Sequence, residues 1–72
     1  MIIFETIDNQ NYRIELKYKS LDCWNVYIDS FLRGTVTKLP HQNYEIYCGD
    51  LNKVIKGTRR DAAFKLLQLN VL

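Results

Sequence analysis

The chain is short of the residues from which most active sites are built. Its 72 residues include one histidine, one proline, three glycines and two cysteines. His41 stands in a turn beside Pro40, and acid–base or nucleophilic chemistry needs an oriented partner that the sequence does not place near it. Gly34, Gly49 and Gly57 are isolated at turns, so no glycine-rich loop is present to cradle a phosphate. Cys23, Cys48 and His41 lack the C-x-x-C or H-x-x-x-H spacing of a metal site. No enzymatic activity, metal or cofactor is therefore expected. No apolar run approaches the roughly 18 residues needed to span a bilayer. The opening Met1-Ile2-Ile3-Phe4-Glu5 lacks the basic region of a secretion signal. A cytoplasmic location without a membrane partner is expected, with both thiols reduced. A net charge of +2 is small for a dedicated DNA-binding domain, which gathers a basic excess on one face.

What is present fits one small folded domain over residues 1–72. Hydrophobic residues make up 47% of the chain, too many for a disordered segment. A core of this size leaves a thin stability margin, which small scaffolds often widen by oligomerising.

The clearest pattern runs from Tyr12 to Asp29. Tyr12, Ile14, Leu16 and Tyr18 alternate with Arg13, Glu15, Lys17 and Lys19, the period of a half-buried strand. After Ser20-Leu21-Asp22 the alternation resumes, with Trp24, Val26 and Ile28 inward and Cys23, Asn25, Tyr27 and Asp29 outward. A three-residue turn would set Tyr18 opposite Trp24, Leu16 opposite Val26, Ile14 opposite Ile28 and Arg13 opposite Asp29, a favourable cross-strand pair. Cys23 then faces outward and Cys48 inward, which argues against a disulfide.

The other elements take their register from this hairpin. Ile2–Ile7 is β-prone but apolar on both sides. A three-residue turn at Asp8-Asn9-Gln10 would point Ile2, Phe4 and Thr6 inward and leave Ile3 and Ile7 on the outside; a four-residue turn would bury Glu5 beside Ile14. The first is preferred, because burying an unpaired carboxylate is expensive. Ser30-Phe31-Leu32 reads as the turn after the hairpin, pairing Asp29 with Arg33 and Val26 with Val36, and keeping Thr35 and Thr37 outside. Leu39 to Asn43 forms the next turn, since Pro40 cannot donate to a ladder. Tyr44 to Cys48 returns. Leu51 to Gly57 is either a loop or a short edge strand over residues 53–56. Thr58 and Asp61 have the spacing of a capping box. They open a helix whose Ala63, Leu66, Leu67 and Val71 share a stripe with Phe64 beside it. The expected fold is thus α+β: an antiparallel meander of four to five strands with one C-terminal helix packed on one face.

Two features point to binding rather than catalysis. The first is apolar and aromatic: Phe31 and Leu32 where a turn would carry Gly or Asn, Ile3 and Ile7 on an outer edge, and Tyr27, Arg33 and Tyr47 on or beside a mixed-charge outer face. Tyrosine and arginine are favoured anchors of protein interfaces. The second is basic: Lys53, Lys56, Arg59, Arg60 and Lys65. Two cations in the first helical turn oppose the macrodipole, and beside free backbone N–H groups they would suit a phosphate or an acidic side chain. A plain solvated basic face is the simpler account of that run. The outer face nearly balances its charges, whereas phosphate binding favours an electropositive surface. The expectation is a protein-interaction module whose partner is either another protein or a second copy of the chain. DNA binding, by fold-level analogy with other small sheet-plus-helix domains, is the alternative.

Overall fold

The computed structural model describes residues 1–71. Six strands run in chain order, β1 (Ile2–Ile7), β2 (Gln10–Ser20), β3 (Cys23–Ile28), β4 (Phe31–Leu39), β5 (Asn43–Cys48) and β6 (Leu51–Lys56), followed by one helix, α1 (Arg59–Val71). Each strand pairs antiparallel with the next, giving a meander in the order β1-β2-β3-β4-β5-β6. The sheet curls into a half-barrel whose hollow holds the helix, and β1 and β6 remain as separate edges.

The strand count is thus six, not four to five. Leu51–Lys56 is a full strand, paired along its length with Asn43–Cys48. Its residues do not alternate cleanly, so the pattern alone left it open. The turn made the strand: Gly49 takes φ 60°, a conformation that glycine adopts without penalty at the first position of a tight hairpin turn.

The central hairpin has the expected register, with Ile14 opposite Ile28, Leu16 opposite Val26 and Tyr18 opposite Trp24. In place of the expected three-residue turn, Ser20 pairs with Cys23 and a two-residue turn at Leu21 and Asp22, with Asp22 at φ 57°, closes the hairpin; a bulge between Tyr18 and Ser20 takes up the extra residue and keeps the register. Arg13 and Asp29 do meet, but through the backbone. The Asp29 N–H donates to the Arg13 carbonyl at 2.8 Å, and the Arg13 N–H donates to Asp29 Oδ1 at 3.0 Å. The Arg13 guanidinium turns instead to Glu15 at 3.4 Å. Tyr18, expected inward, is 73% exposed.

Two other turns differ from expectation. Asp8 and Asn9, at φ 51° and 65°, form a two-residue turn, so Ile7 pairs with Gln10, Glu5 with Tyr12 and Ile3 with Ile14. The side-chain period of a strand is two, so this one-residue difference exchanges the faces of β1. Ile3, Glu5 and Ile7 face the helix side; Ile2, Phe4 and Thr6 face out. Asp29 and Ser30, at φ 49° and 74°, form a second two-residue turn, which brings Phe31 and Leu32 into β4 rather than the loop. A bulge opposite Val26 and Tyr27 then takes up Arg33. The extra residue restores parity, so Thr35 and Thr37 still face out, but Val36 pairs with Trp24 instead of Val26.

The core is one layer between sheet and helix. Ile3, Ile14, Leu16, Val26, Ile28, Val36, Tyr44 and Ile46 meet Ala62, Ala63, Leu66 and Leu67. The helix stripe includes Ala62 as well as the residues that its spacing marked. The helix can sit close because Gly34 faces it from β4. A Cβ there would run into the Tyr47 carbonyl and lie 3.1 Å from Leu66 Cδ1. Gly34→Ala should therefore cost stability toward the upper end of about 1–3 kcal/mol by overpacking. Gly49→Ala, with open space around it but φ 60°, should lose only about 1 kcal/mol from the left-handed backbone. Urea unfolding of the two variants checks the order; equal losses would contradict this account of Gly34.

Candidate functional site

The structure divides the apolar candidates. Ile3 is 4% exposed and Ile7 is half-buried against the core. Neither forms a surface, because the Asp8-Asn9 turn points both toward the helix. Their place on the outside of β1 is taken by Ile2, 49% exposed, and Phe4, 69% exposed. The signal that could have found these two was the Asp8-Asn9 pair, since both residue types tolerate the left-handed conformation that a two-residue hairpin turn needs.

Tyr27 and Leu32 are cross-strand partners on the outer face, in one row with Glu15 and Ile2. Leu32 is exposed, while Tyr27 is half-buried under the Lys17 ammonium, 5.0 Å from its ring. Phe31 opposes Ile28 and so belongs to the inner side, at an open end of the sheet. The bulged Arg33 stacks its guanidinium 5.4 Å from the Phe31 ring. Both line a cleft of about 300 Å³ that Tyr12 and Asn70 also border. Tyr47 lies in a separate outer row, opposite Thr35. Its phenol is raised above the ordinary value, first by its hydrogen bond to the Glu45 carboxylate and then by that group's charge. The candidates therefore do not merge into one patch.

The basic candidates separate too. Arg60 donates to Glu5 at 2.9 Å, tying the first turn of α1 to β1. That contact answers the objection to an inward Glu5: the carboxylate faces the helix side, but it is paired. Arg59 lies 4.6 Å over the Trp24 ring, and its Nε is buried without a hydrogen-bond partner. Both cations that oppose the helix dipole thus hold the helix to the sheet. Lys53 and Lys56 lie exposed on β6, and Lys65 borders a second cleft with Leu51, Gln68 and Leu69. None of these three lysines forms an ion pair among the described residues.

The helix N-terminus is already occupied by its own cap. The Thr58 N–H donates to Asp61 Oδ2 at 2.9 Å, and the Asp61 N–H donates to Thr58 Oγ1 at 3.1 Å. Both cysteines are free; Thr37 Oγ1 donates to Cys23 Sγ and Asn70 Nδ2 to Cys48 Sγ. Among the described residues, no three His, Cys, Asp or Glu side chains gather, and no helix is long and apolar enough to cross a membrane.

The two sheet edges differ in character. Met1 and Leu16 exchange backbone hydrogen bonds in both directions, at 2.9 and 3.2 Å. By the alternation of an antiparallel ladder, Ile3, Glu5 and Ile7 then bond β2, while the N–H and C=O groups of Ile2, Phe4 and Thr6 point away from the sheet. On β6 the same logic turns Asn52, Val54 and Lys56 outward. β6 carries Lys53 and Lys56, the kind of charge that blunts an edge; β1 carries no lysine, proline or bulge. No family model, curated protein or solved structure matches the chain.

The cap sets a pH dependence. The Asp61 carboxyl is held below its ordinary range, first by the Thr58 backbone N–H and then by the Thr58 hydroxyl. Its stabilising effect is therefore complete above the unfolded carboxylate range and is lost as pH falls through the lower folded value. Thr58→Ala should cost about 1 kcal/mol at neutral pH. The stability gap between wild type and Asp61→Asn should stay constant near neutrality and shrink in acid; a gap that widens in acid would contradict the capping geometry.

Proposed function

We propose that this chain is a small protein-interaction module, without catalysis of its own, whose binding element is the free edge of β1. The observation that supports it is the coincidence at Ile2, Phe4 and Thr6. These residues turn their unpaired backbone groups outward, and two of them expose large apolar side chains on the same outer surface. A strand added to such an edge gains main-chain hydrogen bonds, and its alternate side chains meet Ile2 and Phe4. Glu5, the one charge within β1, would otherwise resist burial in an extended sheet, but Arg60 already neutralises it.

DNA binding has less support. Of its five cations, Arg59 and Arg60 are engaged within the fold, which leaves Lys53, Lys56 and Lys65 to meet phosphates. Few phosphate contacts imply a shallow salt dependence.

Immobilised protein tests the proposal. Proteins captured from a cell lysate should be lost with Thr6→Pro, which removes an outward N–H while leaving Ile2 and Phe4 in place, and with Phe4→Lys. Asn52→Pro, the equivalent change on β6, should capture as wild type does. Capture that survives both β1 variants would overturn the β1 edge as the binding element. A gel shift at low salt that weakens as salt rises would favour the nucleic-acid reading instead.

A further inference from the structure

We infer that the strand which adds to β1 is the β1 of a second copy of this chain, paired antiparallel about a two-fold axis through Phe4. The inference rests on the edge-binding reading and names its partner. The register of the edge selects this pairing. Only Ile2, Phe4 and Thr6 offer outward backbone groups, so a bonded antiparallel register must oppose these residues to one another. Of the registers that do so, only the one centred on Phe4 engages all three: Phe4 meets the partner's Phe4, Ile2 meets the partner's Thr6, and Thr6 meets the partner's Ile2. Registers shifted by two residues either way leave at least one outward pair unbonded.

The side chains agree with that register. On the outer surface it sets two exposed phenylalanines side by side, flanked by pairs of β-branched residues, both favourable cross-strand combinations. On the inner side Glu5 falls opposite the partner's Ile3, so no like charges oppose, and each Glu5 keeps its own Arg60. Pairing β6 with β6 would bring four outward-directed or edge lysines together, Lys53 and Lys56 from each copy. The contact at β1 is isologous and closes as a dimer instead of propagating. It joins two six-stranded sheets into one continuous sheet with a helix on each half.

Sedimentation and cysteine pairing test this together. The protein should sediment at twice its 8.6 kDa chain mass at about 100 µM, the concentration at which a small interface is populated. Thr6→Pro and Phe4→Lys should sediment as monomers with unchanged circular dichroism, and Asn52→Pro should remain a dimer. An equal mixture of Ile2→Cys and Thr6→Cys chains should form the mixed disulfide on mild oxidation, because paired Cα atoms about 5.5 Å apart lie within disulfide reach. Neither variant alone should link to itself at that position. A monomeric wild type, or a dimer in which Ile2→Cys links to Ile2→Cys, overturns the inference. If the wild type is monomeric while lysate capture is still lost with Thr6→Pro, the self-pairing fails and the edge-binding reading stands.

Discussion

Asp8 and Asn9 decide which half of the first strand meets the core. Both take a positive φ, which closes the β1–β2 hairpin in two residues. The face of every residue in β1 follows, because side chains alternate with a period of two. Ile3 joins Ile14 in the core, Glu5 faces the helix side, and Phe4 faces outward. Glu5 then needs a partner, and Arg60 supplies it from the first turn of α1. The outward backbone groups and the exposed Phe4 are the other side of the same turn.

The helix is seated by complementary means. Ile14, Leu16, Val26, Ile28, Val36 and Ile46 are buried beneath it, each contributing on the order of 1.5–3 kcal/mol against an exposed reference. Gly34 on the sheet and Ala62 and Ala63 on the helix allow close approach. At the N-terminus, Arg59 stacks on Trp24 and Arg60 pairs with Glu5. These contacts offset the unfavourable placement of two cations at the positive end of the helix dipole. Two arginines that the sequence offers as candidate anion ligands attach the helix to the sheet in the fold.

The parts legible in sequence were those where periodicity and turn agree. The alternation of Tyr12–Ile28 allowed one parity, and the two-residue Leu21-Asp22 turn kept it because the bulge between Tyr18 and Ser20 supplies the extra residue. The helix was legible from Thr58 and Asp61 as its cap and from the spacing of Ala63, Leu66 and Leu67. β1 was not, because Ile2, Ile3, Phe4 and Ile7 are apolar on both faces, so only the turn length could orient them. β4 was partly legible: Phe31 and Leu32 resemble no ordinary turn residues because they are strand residues, and the bulge at Arg33 cancelled the error in turn length for Thr35 and Val36. Of the binding candidates, Phe31 and Leu32 are exposed, whereas Ile3 and Ile7 lie on the opposite face of β1 from the one expected. The edge itself has no signature in residue types, since it is a property of which strand lacks a neighbour.

The free edge of β1 is the central claim, and amide hydrogen exchange followed against protein concentration tests it most directly. In dilute solution the Ile3 and Glu5 amides, bonded to β2, should exchange slowly, and the Phe4 and Thr6 amides quickly. As concentration rises, Phe4 and Thr6 should become protected while Val54 and Lys56, which face outward from β6, should not. Phe4 and Thr6 amides that exchange as slowly as those of Ile3 and Glu5 in dilute solution would contradict the free edge, whereas fast exchange at every concentration would contradict only the self-pairing.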